Sequence, residues 1–148
     1  MDQEEIARTI TFNSAKEFIK MKIFNLVLAV IFFIFAYLQL NDTPGDILFW
    51  FLIYSYTGVI CAFAAFGKYN MWAIILEVLV LLYQVFRMFP AFSQWIAEGT
   101  PSIVGEMKAT SPFVELVREF LGLCICLAVM IFQYIRYARS KKMKEEIS

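Results

Sequence analysis

The sequence predicts an all-α membrane protein, an antiparallel four-helix transmembrane bundle with both termini in the cytoplasm. Four apolar runs, 23–40, 47–66, 71–89 and 113–137, fill most of the 148 residues. Each is close to the roughly 20 residues that a helix needs to cross a hydrocarbon core of about 30 Å. Composition agrees: 61% of the chain is hydrophobic, against roughly 45–50% for a soluble domain. The 16 Phe residues, within an aromatic share of 18%, suit a lipid-facing surface. The placement of basic residues supplies the third observation. Arg8, Lys16, Lys20 and Lys22 precede the first run, and Lys68 lies between the second and third. Arg136, Arg139, Lys141, Lys142 and Lys144 end or follow the fourth. Four crossings put all of these on one side and leave Lys108, with Arg87 and Arg118 at helix ends, on the other. Basic residues stay cytoplasmic, which sets an N-in, C-in topology.

Loops this short hold no second domain. Residues 1–22 read as a cytoplasmic N-terminal arm and 23–137 as the transmembrane domain, with an outer loop at 90–112. Residues 138–148 read as a basic cytoplasmic tail. Lys and Arg number 13, as do Asp and Glu, so the molecule exerts no net pull on nucleic acid. The chain has no His, which removes the commonest general base and metal ligand. Cys61, Cys124 and Cys126 fall inside apolar runs, where cysteine behaves as a small apolar residue. Cys124 and Cys126 point about 200° apart on a helix, a poor chelate. The reading therefore includes no catalytic residue, metal or cofactor. The first run is long for a signal peptide and no small-residue cleavage site follows it, so it reads as a retained helix. A compact chain without a cleavable signal points to a bacterial inner membrane.

Ser14-Ala15-Lys16-Glu17 matches a capping box, which starts the first helix at Ser14 and leaves 1–13 loosely ordered or as a short surface segment. Asn41-Asp42-Thr43-Pro44-Gly45-Asp46 makes a tight outer turn, because Pro44 stops the helix and Gly45 tolerates left-handed backbone. Thr43 is the expected cap of the second helix, with Asp46 in its first turn. At the inner turn Gly67 suits the residue after a helix C-cap, and Asn70 the N-cap of the third helix. The second and third helices then form a short antiparallel hairpin. The third span is expected to end near Pro90. Trp95, Ile96, Ile103, Val104 and Met107 make the long loop apolar enough to lie in the outer interface. Ser111-Pro112 opens the fourth helix, with Pro at its first position.

Helical spacing gathers small and polar residues into one stripe per span. The stripes are Asn25, Ala29, Phe32, Ala36 and Gln39 on the first, and Tyr54, Gly58, Cys61, Ala62 and Ala65 on the second. On the fourth the stripe is Glu115, Arg118, Glu119, Gly122, Cys126 and Gln133. Membrane helices associate through such close-packing faces. The third span carries Glu77 and Gln84, seven apart and facing nearly the same way. An ionised carboxylate deep in a bilayer costs about 2.5–3.5 kcal/mol on insertion scales, so these two residues point away from lipid. A functional role for Glu77 and a structural hydrogen bond to a neighbouring helix, to Asn25 or Tyr69, both stay open. A second polar cluster lies at the outer rim: Gln39, Asn41, Asp42, Asp46, Trp50, Arg87, Glu115, Arg118 and Glu119. Glu115, Arg118 and Glu119 share one helix face. Mixed charges at one depth suit either a site for a polar headgroup or a clasp that holds the helices together.

The rim carries a family likeness. Tyr37-Leu38-Gln39-Leu40-Asn41-Asp42, a Pro two residues on and then Trp50 resemble the first hairpin of the transmembrane protein 220 family. Arg118-Glu119-Phe120-Leu121-Gly122-Leu123 resembles the start of that family's last helix. Where the family usually carries an acid before the Pro, this chain has Thr43. The resemblance covers 23–137 in layout and implies a small four-pass membrane protein with Asn41, Asp42, Arg118 and Glu119 in one unit. It implies no reaction, since the family has no established activity.

Function is less legible than fold. The first reading is a non-enzymatic accessory, scaffold or lipid- or partner-binding subunit. The alternatives are a small transporter or channel component using Glu77 and Gln84, and an intramembrane enzyme at the rim carboxylates Asp42 and Glu119. Membrane lipids are the expected partners, with a protein partner or a homo-oligomer also open.

Overall fold

The structure, a computed structural model, describes residues 2–41, 46–104 and 112–148, with backbone alone over 112–114. Its four helices are α1 (Gln3–Gln39), α2 (Ile47–Ala65), α3 (Met71–Ala97) and α4 (Pro112–Ile147). Of these, α1, α2 and α3 are long and apolar enough to cross a membrane. The chain divides into two units, Met1–Asn70 and Met71–Ser148. Each is an antiparallel helical hairpin.

In the first hairpin α1 runs unbroken for 37 residues, about 55 Å at 1.5 Å per residue, well beyond the hydrocarbon thickness. The helix starts at Gln3, not at Ser14. No Gly or Pro interrupts 2–41, and Asp2 accepts a hydrogen bond from the Gln3 N–H with Glu4 and Glu5 in the first turn. Glu4 then pairs with Arg8 one turn on, at 2.6 Å. With a helix already established upstream, Glu17 does not reach back to Ser14 as a capping box. It pairs with Lys20 at 3.1 Å instead. The segment expected to be loose is thus a helical extension of the first span.

The inward face of α1 is Asn25, Ala29, Phe32 and Ala36, all buried, with Gln39 half-buried. These residues belong to the predicted stripe. On α2, Tyr54, Gly58, Cys61 and Ala65 are buried as expected, together with Trp50, Ile53, Thr57, Ile60 and Ala64. Phe32 stacks on Tyr54 with ring centroids 6.4 Å apart, and Phe35 meets the same ring edge-on at 5.7 Å. Gly58 lets the helices close: a Cβ there would stand 3.1–3.3 Å from three atoms of the Phe33 ring. At the other end the Lys22 ammonium lies 4.9 Å from the Phe66 ring centroid. Two buried polar side chains bond to their own helix. The Asn25 Nδ2 donates to the Met21 carbonyl at 3.1 Å, and the Thr57 hydroxyl to the Ile53 carbonyl at 3.0 Å.

Asp46, expected inside the first turn of α2, occupies its N-cap without a side-chain cap bond. Thr43, the expected cap, lies outside the described residues. At the far end Gly67 adopts φ +69°. The Gly67 N–H reaches the Ala64 carbonyl and the Lys68 N–H the Phe63 carbonyl, both at 3.0 Å. This paired closure needs left-handed backbone at the residue after the C-cap, where glycine carries no Cβ penalty. α3 then begins directly after Asn70.

In the second hairpin α3 runs through Pro90 to Ala97, past the expected end of the span. A proline removes one helical hydrogen bond. Packing beyond it holds the added turns, since Phe92 stacks on Phe120 of α4 with ring centroids 4.4 Å apart. The helix closes as α2 does: Gly99 takes φ +84°, its N–H reaches the Ile96 carbonyl at 3.1 Å, and the Thr100 N–H reaches the Trp95 carbonyl at 3.0 Å. α4 starts at Pro112 as expected and spans 36 residues, continuing through the basic tail to Ile147. Its buried line is Val117, Phe120, Leu123, Cys126, Met130 and Gln133. Cys126 and Gln133 of the predicted stripe lie on this line, whereas its N-terminal part is displaced around the helix: Glu115, Arg118, Glu119 and Gly122 are only half-buried. Large side chains that fill the space against α3, led by Phe120, take the central position.

Gly58→Leu should open the first hairpin and lower its thermal midpoint in detergent, at an overpacking cost of about 1–3 kcal/mol. Adding Phe33→Ala should recover part of that loss. An unchanged midpoint for the single variant would refute close approach at this position.

Candidate functional site

Polar groups inside the second hairpin lie on a single line. Helical spacing puts Ile74, Glu77, Leu81, Gln84 and Met88 on one buried face of α3. Glu77 is 2% exposed and Gln84 9%, while Gln133 on α4 is fully buried at 0%. Phe89 and Phe92 meet Phe120 across the hairpin. Stepping back equally along both antiparallel helices from that contact brings Gln133 to the level of Glu77. An acid and an amide thus share one depth, with a second amide two turns away on the acid's own helix. The Gln84 Oε1 has no hydrogen-bond partner among the described residues. Glu77 can hold a proton, and the amides can donate or accept hydrogen bonds without changing charge.

The outer-rim residues are divided between the hairpins. In the first, Gln39 is half-buried, while Asn41 and Asp46 are exposed on either side of the turn. Asp42 lies outside the described residues. Trp50 belongs to the packing: it is 4% exposed and stacks on Tyr54 at 6.1 Å. In the second hairpin Arg87 is exposed, while Glu115, Arg118 and Glu119 are half-buried. Arg118 has a defined task, because its Nε donates to the Ile103 carbonyl at 2.6 Å. Nearby the Trp95 indole donates to the Pro101 carbonyl at 2.9 Å, and the Ser102 hydroxyl to the Val104 carbonyl at 3.0 Å. The bonds from Arg118 and Trp95 hold the start of the loop after α3 against its own hairpin. No group of three or more potential metal-ligating side chains occurs among the described residues.

Two parts of this arrangement have no local signal in the sequence. By spacing Gln133 is one member of a packing stripe, and its level with Glu77 depends on the antiparallel register, which no local pattern encodes. The Ile103 carbonyl is a backbone acceptor with no side-chain signature at all. Arg118→Ala should release the loop, because a hydrogen bond from a charged donor is worth about 1.5–3 kcal/mol. Hydrogen exchange over 98–104 should quicken by about tenfold or more, while Arg87→Ala leaves it unchanged. Equal exchange in Arg118→Ala and the parent would remove Arg118 from this role.

Among curated proteins and among solved structures, nothing matches the chain. The family described as "Transmembrane family 220, helix" matches residues 31–135. That stretch takes in all of α2 and α3, about half of the apolar part of α1 and most of that of α4. With its apolar helices and a match over well beyond half its length, the chain is a multi-pass membrane protein and belongs to transmembrane family 220.

Proposed function

We propose that this protein is a non-enzymatic accessory or scaffold subunit that binds lipid or a protein partner within the bilayer. The carrying observation is the polarity of α3. Glu77 and Gln84 lie on the buried line, while Trp72, Leu76, Leu79, Tyr83 and Phe86 stand out at helical spacing, with Phe86 83% exposed and Trp72 73%. Such a helix offers its large apolar side chains to whatever surrounds it in the membrane, which is lipid or another helix. The use of Arg118 to hold the outer loop supports a structural role for at least part of the rim. We place both termini on the cytoplasmic side of a bacterial inner membrane. The bias of Lys and Arg supports the orientation.

A second reading has its own support. Glu77, Gln84 and Gln133 form a buried polar line that suits a small transporter or channel component. Glu77→Gln separates the two. In proteoliposomes the accessory reading expects unchanged proton or cation flux and at most a lowered thermal midpoint, the loss of a buried hydrogen bond being worth about 1–3 kcal/mol. The transporter reading expects flux that depends on Glu77. Purification in mild detergent tests the accessory reading directly. A stoichiometric partner or a retained lipid supports it, whereas a lipid-free monomer with Glu77-dependent flux replaces it.

A further inference from the structure

We propose that Arg136 and Arg139 form a seat for the phosphate of an anionic phospholipid, in the leaflet towards which the C-terminus projects. The inference rests on the lipid-binding side of the function proposed above and on α4 crossing the membrane.

Arg136 lies at the end of the last apolar run, where a helix leaves hydrocarbon and meets headgroups. It is half-buried, and its Nε is buried with no hydrogen-bond partner among the described residues. A guanidinium N–H shut away from water without an acceptor is an unstable arrangement and calls for an oxygen. Arg139 follows three residues later, so the two guanidinium groups share one helix face. Neither makes an ion pair among the described residues. Their neighbours behave differently: Lys141 and Lys142 have Glu145 and Glu146 one turn on, each at 4.0 Å.

The surroundings fit the same ligand. On α4 the residues three and four away from Arg136 are Phe132, Gln133, Arg139 and Ser140, none of them acidic. The register that matches Gln133 to Glu77 brings Arg136 to the first turns of α3, where no acidic residue occurs in the first turn. The nearest acid on α3 is Glu77, one turn deeper at the level of Gln133. Trp72 is 73% exposed near that end of α3 and Tyr134 45% on α4. Interfacial aromatic side chains such as these settle at headgroup depth. Two arginines without a carboxylate favour an anionic headgroup over a zwitterionic one, whose ammonium would add a further cation. Arginine also matches phosphate with paired N–H donors, which lysine does not.

The test uses the full chain in detergent micelles doped equally with phosphatidylglycerol and phosphatidylcholine, with retained lipid counted by native mass spectrometry. The parent should hold phosphatidylglycerol in preference to phosphatidylcholine. Arg136→Gln with Arg139→Gln should reduce that preference by about tenfold or more. Arg136→Lys should recover it only partly, and Lys142→Gln with Lys144→Gln should leave most of it. If Arg136→Gln does not fold, Arg139→Gln alone, at an exposed position, should still weaken retention. Equal retention of the two lipids would overturn the proposal. So would loss of preference only in the lysine variant, or displacement of lipid by millimolar inorganic phosphate, which would mark a free-phosphate site. Any of these results would leave capture of a protein partner, and with it the broader reading, intact.

Discussion

Hydrocarbon offers a polar atom nothing to bond to, so each backbone and side-chain polar group inside a membrane must be satisfied by protein. Both hairpins meet that constraint along the helix backbone, while in the second the buried Gln84 Oε1 has no partner among the described residues. Their helices satisfy the backbone within each segment. Asn25 and Thr57 turn their donors onto carbonyls of their own helix. Glu77, Gln84 and Gln133 are drawn into the α3–α4 hairpin, where the low dielectric that makes an unpaired group costly also strengthens a paired one. Apolar side chains are then left to face outward, the reverse of a soluble helix pair. The helix ends obey the same rule. α2 and α3 close with a glycine in left-handed backbone, so that terminal carbonyls accept N–H groups from the turn that follows.

Much of this is legible in the sequence because it depends on period alone. Small and polar residues at helical spacing mark the buried faces of α1 and α2, and Glu77 and Gln84 mark that of α3. Gly67 is recognisable because few other residues take its backbone cheaply. The misreadings come from local signals that a longer context overrides. Ser14 and Glu17 look like a helix start, yet the residues before them are equally able to form helix, and Asp2 already supplies a cap. Pro90 looks like a stop, yet contact between Phe92 and Phe120 keeps the helix going beyond it. The displacement of the N-terminal part of the α4 stripe has the same origin. Charged and small residues predicted the interface there, whereas the volume of Phe120 and Leu123 decides which side of the helix faces α3.

The candidate site is less legible in the sequence than the fold because its geometry is relational. Nothing near Gln133 indicates Glu77, and nothing near Arg118 indicates the Ile103 carbonyl; both relations arise when two helices return along one another. Membership in transmembrane family 220 fits the apolar layout without naming a reaction. What separates the polar groups is which of them the hairpins retain for packing and which they leave open at the rims. Arg118 and Trp50 are engaged in structure, whereas Arg136 and Arg139 make no ion pair among the described residues.

The most direct measurement is a spin-label scan along α3 in lipid bilayers, one cysteine at a time, with Cys61, Cys124 and Cys126 replaced by Ala. Collision with dissolved oxygen reports contact with lipid, and collision with a water-soluble nickel chelate reports contact with water. The account predicts oxygen maxima at Leu76, Leu79, Tyr83 and Phe86 and minima at Glu77, Leu81, Gln84 and Met88, with a period of about 3.6 residues. Maxima at Glu77 and Gln84, or strong nickel accessibility at Tyr83 and Phe86, would contradict a helix that hides its polar line from the bilayer.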